Sequence, residues 1–263
     1  MSDMREFAKA TAVRAGQLLK EGLSRPREIR YKGEIDLVTE MDVASEKLII
    51  EAIKANYPDH AILAEESGRS DQPDSPYRWV IDPLDGTTNY AHGLPIFCVS
   101  IGLEKDGEPL LGVIYSPMLD ELYEAEVGQG AYLNGQRLHV SKTTELGKAL
   151  LVTGFPYDVK VKIDNVVHFT NFLLASQAVR RLGSAAMDLA WVAAGRFDGF
   201  WEPRLAPWDL CAGTVLVREA GGHITNYVGE TFSIYEKEIL ASNGHLHQPM
   251  VEVLTRPAVA SQA

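Results

Sequence analysis

The chain has 263 residues, 46% of them apolar and 23% charged, a balance that supports a sizeable buried core and excludes disordered and fibrous classes. Its formal net charge of -11 opposes a polyanion such as nucleic acid, and no run of Lys or Arg offers a local exception. An anionic small molecule would need a bound cation or a helix N-terminus to receive it.

The opening run MSDMREFAKATAVRAG lacks the apolar core of a signal peptide, and no apolar stretch reaches the roughly 18 residues of a membrane span, so a cytoplasmic protein with no membrane partner is expected. Met4, Ala8, Ala12, Ala15 and Leu19 line one face of a helix that ends near Gly22. Residues 25–39 read as a loop or hairpin. A second helix follows with Asp42 as its N-cap, an apolar face of Ala44, Leu48, Ile49, Ala52, Ile53 and Ala55, and an end at Asn56 and Pro58.

From residue 60 the texture changes to short apolar or alternating runs punctuated by Gly, Pro and Asn-Gly: AILAEES, RWVIDPLDG, IFCVSIGLEKDGEPLLGVIYSP and ELYEAEVGQGAYLNGQ. These are strands of a largely antiparallel sheet, with a hairpin turn at Glu104-Lys105-Asp106-Gly107 and a second candidate turn at Asn134-Gly135. After about residue 145, helices are expected at Asn165–Ala175, Ser184–Ala194 and Trp208–Ala220, and strands at Phe197–Trp201, His223–Thr225 and Ile239–Ala241. Nothing between the halves resembles a linker, so residues 1–263 read as a single unit with an N-terminal lobe (about 1–145) and a C-terminal lobe (about 146–263). Cys98 and Cys211 sit in apolar surroundings and read as buried, reduced thiols.

The segment most informative about chemistry is WVIDPLDGTTNY. An apolar strand delivers Asp82 and Asp85 three residues apart at its end, and the amides of Gly86, Thr87 and Thr88 open a short helix that can face an anion. Taken alone, Pro-Leu-Asp-Gly is equally a β-turn. LAEESG adds Glu65 and Glu66 at another strand end, PWDLCAG places Asp209 in the first turn of a helix, and DLVTEMD puts Thr39 and Asp42 at a helix entry. Each has an ordinary structural use as a solvated loop, a dipole partner or a cap. Together they form a set of hard oxygen donors suited to magnesium, and the absence of a His or Cys cluster argues against zinc.

The segments DLVTEMD, LAEES, DPLDGTTN, GSAAMDLAWVAAGRFDGFWE and WDLCAGTVLVREAGG resemble, in order, the signature blocks of the inositol monophosphatase family. The resemblance implies an α+β fold, the layered α-β-α-β-α sandwich of the inositol monophosphatase and fructose-1,6-bisphosphatase type, and magnesium-dependent hydrolysis of a small phosphate monoester. It implies that Glu65, Asp82 and the carbonyl of Leu84 hold one Mg2+, that Asp82, Asp85 and Asp209 hold a second, and that Glu65 also serves a third, weaker ion. The choice of Glu65 over Glu66 comes from the resemblance alone. Asp42 and Thr87 match the pair that prepares the attacking water, with Glu65 beside them, and Gly86, Thr87 and Thr88 would receive the phosphate. Asp85, Gly183, Ser184, Ala185 and Glu202 would contact the hydroxyls of a cyclitol.

Hydrolysis of myo-inositol 1-phosphate and related polyol monophosphates is therefore expected. Fructose-1,6-bisphosphate, histidinol phosphate and phosphoadenosine phosphate are alternatives within the family, and a regulatory or scaffold protein using the same fold is the alternative from another class. The resemblance also implies a homodimer and inhibition by lithium. Lys32 falls on a loop near the metals, and Arg180 and Arg181 resemble a basic pair of bacterial members or serve as ordinary solvated charges.

Overall fold

Small apolar residues at helical spacing decide the first layer. Ala8, Ala12, Ala15 and Leu19 are fully buried along one side of α1 (Ser2–Gly22), which lets that helix lie close against a sheet. The computed structural model describes residues 2–23, 29–31, 37–69, 72, 74–155 and 164–256, so Lys32 lies outside the described residues. The expected hairpin is present as the antiparallel pair β1 (Ile29–Tyr31) and β2 (Leu37–Thr39).

The second helix, α2 (Glu40–Asn56), differs from expectation in two ways. It begins directly after β2, so Asp42 lies in its first turn and not at the cap. Its buried side is Met41, Asp42, Ser45, Glu46, Ile49 and Ile53, whereas Ala44, Leu48 and Ala52 are only half-buried and Ala55 is exposed. The polar members of that side have partners that an apolar residue could not serve. Ser45 Oγ donates to the Pro83 carbonyl at 2.8 Å, and Glu46 Oε2 accepts the Glu66 N–H at 2.8 Å.

The main sheet is built from β3 (Ala61–Ala64), β4 (Gly68–Arg69), β5 (Tyr77–Asp85), β6 (Cys98–Lys105), β7 (Glu108–Ser116), β8 (Glu121–Glu126), β9 (Gly130–Leu133) and β10 (Gln136–Arg137), with α3 (Thr87–Ala91) between β5 and β6. Its order is β10-β9-β8-β7-β6-β5-β3-β4, antiparallel except for the parallel pair β3 and β5. Left-handed Asp106 (φ 52°) and Asn134 (φ 48°), each followed by glycine, close the two expected hairpins.

The C-terminal half adds β11 (Leu150–Thr153), α4 (Asp164–Ala175), β12 (Ala178–Arg180), α5 (Ala185–Ala193), β13 (Gly199–Pro203), α6 (Pro207–Glu219), β14 (His223–Thr225), β15 (Glu238–Ser242) and α7 (His247–Leu254). The second sheet runs β12-β11-β13-β15-β14, with β11 parallel to β12 and to β13. β13 begins two residues later than expected. Phe197 N–H still bonds the Trp191 carbonyl of the helix end, and the Asp198 carboxylate accepts the Leu150 N–H at 2.7 Å, so the ladder starts at Gly199. α7 has no counterpart in the sequence reading; its Pro249 sits in the first turn, where its missing N–H costs nothing.

Three apolar clusters order these elements into five layers. Trp79 and Ile81 of β5 point to α1 and α2, while Val80 points the other way, toward α5 and α6. Phe200 of β13 meets α5 and α6 from the second sheet, and Trp201 faces α4 and α7. The order is α1/α2, main sheet, α5/α6, second sheet, α4/α7, the α-β-α-β-α sandwich expected. The middle helices are enclosed by sheets on both sides, which is why α6 is buried at every residue from Leu210 to Val217. Both cysteines are buried free thiols.

Candidate active site

The end of β5 sets the geometry. In a regular strand, residues three apart point to opposite faces, which would separate Asp82 from Asp85. Here Asp82 pairs with Ser100 and Asp85 with Cys98, so three steps along β5 match two along β6, and the extra residue turns both carboxylates into one cavity. Leu84, fully buried in the α1/α2 core, anchors the bulge. Its N–H donates to Asp82 Oδ1 at 2.9 Å.

Asp85 is held from the far side. Its Oδ2 accepts both the Ser184 hydroxyl and the Ala186 N–H at 2.7 Å, at the N-terminus of α5. Asp209, in the first turn of α6, accepts the Ala206 N–H at 2.7 Å. One oxygen from each of Asp82, Asp85 and Asp209 lies within 4.8 Å of the others. Glu65 lines the same cavity and Glu66 does not; the Glu66 backbone is tied instead to Glu46 on α2.

Burial raises the Asp82 pKa well above the ordinary carboxylate range, and the charges of Glu65, Asp85 and Asp209 raise it further, against the Leu84 N–H. Asp209 is raised well above its usual value by burial and then by Asp85, with the Ala206 N–H opposing. Burial also raises Asp85, although the donors from α5 hold the rise down. Such a cluster of rigid oxygens repels itself until a cation neutralises it. It contains no nitrogen or sulfur donor, which fits a hard ion such as magnesium.

Gly86, at φ 93°, turns the chain into α3. A Cβ there would meet the Ile96 carbonyl at 3.0 Å, so both the dihedral and the space call for glycine. Thr87 and Thr88 follow on the cavity wall. Thr87 Oγ1 lies 3.1 Å from Asp42 Oδ1 and 3.0 Å from the Leu84 carbonyl, and its single proton serves one acceptor at a time. Asp42 is 1% exposed and stands behind Thr87, not on the cavity surface.

The cavity encloses about 270 Å³ and is also lined by Gly183, Ser184, Ala185 and Glu202. Burial, then the charge of Asp209, raises the Glu202 pKa well above its usual value. Arg180 and Arg181 are both exposed, but only Arg181 lines the cavity. The sequence reading missed Asn89 and Asp188. Asn89 Nδ2 donates to the Ile96 and Leu182 carbonyls at 2.7 and 2.8 Å, joining α3 to the approach of α5, and its place within DGTTN was the available signal. Asp188, in the first turn of α5, hides within the apolar run GSAAMDLAW, where a lone acid among apolar residues was the signal.

The chain matches the family model described as inositol monophosphatase family over residues 1–258. It is 47% identical over 251 residues to the inositol-1-monophosphatase of Synechocystis sp., covering 95% of this chain and 88% of that protein. It is 43% identical over 254 residues to the Nus factor SuhB of Escherichia coli, covering 95% of each. Among solved structures, an inositol monophosphatase from Anabaena (Nostoc) sp. aligns with a TM-score of 0.91 at 45% identity, covering 99% of this chain and 98% of that one.

Proposed function

The chain belongs to the inositol monophosphatase family and is a phosphoric monoester hydrolase; from that premise we propose that it hydrolyses myo-inositol 1-phosphate and related polyol monophosphates with magnesium held by the carboxylate cluster. The observation that carries this reading is the convergence of Asp82, Asp85 and Asp209 within 4.8 Å beside the first turn of α3. In this reading Glu65, Asp82 and the Leu84 carbonyl hold one ion, Asp82, Asp85 and Asp209 hold the second, and Glu65 serves a third, weaker one. When bound, magnesium supplies Lewis acidity that stabilises charge on the transferring phosphoryl group.

The chain's own residues supply the rest. Amides of Gly86, Thr87 and Thr88 open α3 and carry no acceptor from the helix itself, so they are free to face phosphate oxygens. Thr87 donates its hydroxyl hydrogen toward Asp42, so its oxygen lone pairs can take a proton from the attacking water as its own proton passes to the Asp42 carboxylate behind it. Asp85 has one oxygen committed to α5, which fixes the other toward the cluster. Glu202, Ser184 and the backbone at Gly183 and Ala185 form the wall that would read substrate hydroxyls. The two lobes, about 1–145 and 146–263, act together as one catalytic unit in this account.

A substrate panel under metal removal and replacement tests it. Magnesium-dependent phosphate release fastest on inositol 1-phosphate is expected. Rapid turnover of fructose-1,6-bisphosphate, histidinol phosphate or phosphoadenosine phosphate beside a slow inositol ester would transfer the assignment. The relative named a Nus factor supports a second reading, in which the same fold also serves as a regulatory or scaffold component. A phosphatase-dead variant that keeps that role would separate the two. A homodimer, lithium inhibition and a cytoplasmic location complete the proposal; among the described residues no helix is long and apolar enough to cross a membrane. Sedimentation and a lithium titration check the first two.

A further inference from the structure

Asp188, in the first turn of α5, is 1% exposed, and neither of its carboxylate oxygens has a hydrogen-bond partner among the described residues. A buried carboxyl left unpaired destabilises the fold whether charged or neutral. Its helix has no need of it, since Asp85 already occupies the α5 N-terminus through Ser184 and Ala186. Packing has no need of it either, because its neighbours Met187, Leu189 and Ala190 are buried in an apolar core. Asp188 is nonetheless among the residues that line the cavity, as is Glu202.

Glu202 is itself placed with care. Its carboxylate rests against Gly154, where a Cβ would collide with both oxygens. Both Glu202 and Asp188 line the cavity; after burial, the charge of Glu202 is the main influence raising the Asp188 pKa, and exposed Arg181 favours the ionised forms of both.

We propose that Asp188 is a specificity-determining residue that accepts a hydrogen bond from a hydroxyl of the substrate's polyol portion, next to the hydroxyl read by Glu202. The inference rests on the polyol-ester reading above. Neighbouring hydroxyls on a cyclitol or sugar alcohol can donate to two carboxyls at once, and they supply the partner that the protein withholds. An aryl phosphate has no such hydroxyl, and a wall of buried acceptors left unpaired discriminates against it.

The test compares myo-inositol 1-phosphate with 4-nitrophenyl phosphate at saturating magnesium, in the wild type, Asp188→Ala and Asp188→Asn. For Asp188→Ala, kcat/KM on the inositol ester is expected to fall roughly 10- to 100-fold, chiefly through KM, while the aryl ester changes by less than about threefold. Asp188→Asn keeps an acceptor oxygen in the same place and retains most of the discrimination. Without substrate, Asp188→Ala should melt at or above the wild-type temperature, because an unpaired buried carboxyl has been removed and no polar group replaces it. Equal losses on the two esters, unchanged selectivity, or a lower melting temperature for Asp188→Ala would overturn the assignment. If the wild type itself turns over only the aryl ester, the polyol reading fails first, before any variant is compared.

Discussion

Asp209→Asn offers the sharpest separation between a metal site and a merely structural acidic cluster. The substitution preserves the acceptor for the Ala206 N–H, because the Asn carbonyl can take that bond, so the start of α6 is kept. It removes one of three charges whose oxygens lie within 4.8 Å. At an effective dielectric of about 20, that spacing corresponds to roughly 3.5 kcal/mol of repulsion per fully ionised pair. The half-buried position of Asp209 and proton uptake by the cluster reduce this, leaving a net gain for the metal-free variant on the order of 1–3 kcal/mol.

The sign with pH follows from the raised carboxyl pKa values. A group whose pKa is higher when folded contributes stability that is complete below its unfolded value and lost as pH rises through the folded value. Metal-free wild type should therefore weaken as pH rises above the ordinary carboxylate range, and the variant should weaken less. Urea unfolding in chelator from pH 5 to 9, repeated with millimolar magnesium, measures both effects. Magnesium should stabilise the wild type strongly and the variant little, reversing their order. A variant less stable than wild type in chelator, or one with an undiminished magnesium response and phosphate release, would refute the reasoning.

Thr87→Ala should lower kcat by about 10²- to 10⁴-fold with little change in magnesium binding, and Thr87→Ser should restore much of the rate; steady-state kinetics with calorimetric metal titration checks this. Glu65→Gln should weaken magnesium-dependent turnover, whereas Glu66→Gln should leave it near wild type, since only Glu65 lines the cavity; a magnesium titration of phosphate release distinguishes them. His247 is buried between the Thr225 and Ser242 hydroxyls, at 2.8 and 2.9 Å, and burial, helped by the charge of His223, lowers its pKa to about 4. A lowered His pKa means stability that is complete above about 6.5 and lost as pH falls toward 4, by at most about 3 kcal/mol. Urea unfolding of wild type and His247→Asn over that interval should show a difference that shrinks as pH falls.

The sequence by itself determined the carboxylate inventory and most of the elements that carry it. Helical spacing of Ala8, Ala12, Ala15 and Leu19 specified the buried face of α1, and Asp-Gly and Asn-Gly specified two hairpins, because these are local consequences of period and backbone freedom. Tertiary structure alone decided how the acids meet. The bulge that turns Asp82 and Asp85 to one side is a mismatch between two strands, visible only once β6 is paired with β5. The resemblance had already named Glu65 rather than Glu66, and the fold puts only Glu65 of the two on the cavity wall; the buried polar side of α2 is polar because Pro83 and Glu66 offer partners far along the chain. Asp188 reads in sequence as an ordinary helical acid. It became informative only when folding buried it, withheld every hydrogen-bond partner among the described residues, and set it on the cavity wall. Periodicity and turn chemistry act over a few residues and can be read from the chain, whereas satisfaction of a buried polar group depends on neighbours that sequence order does not place beside it.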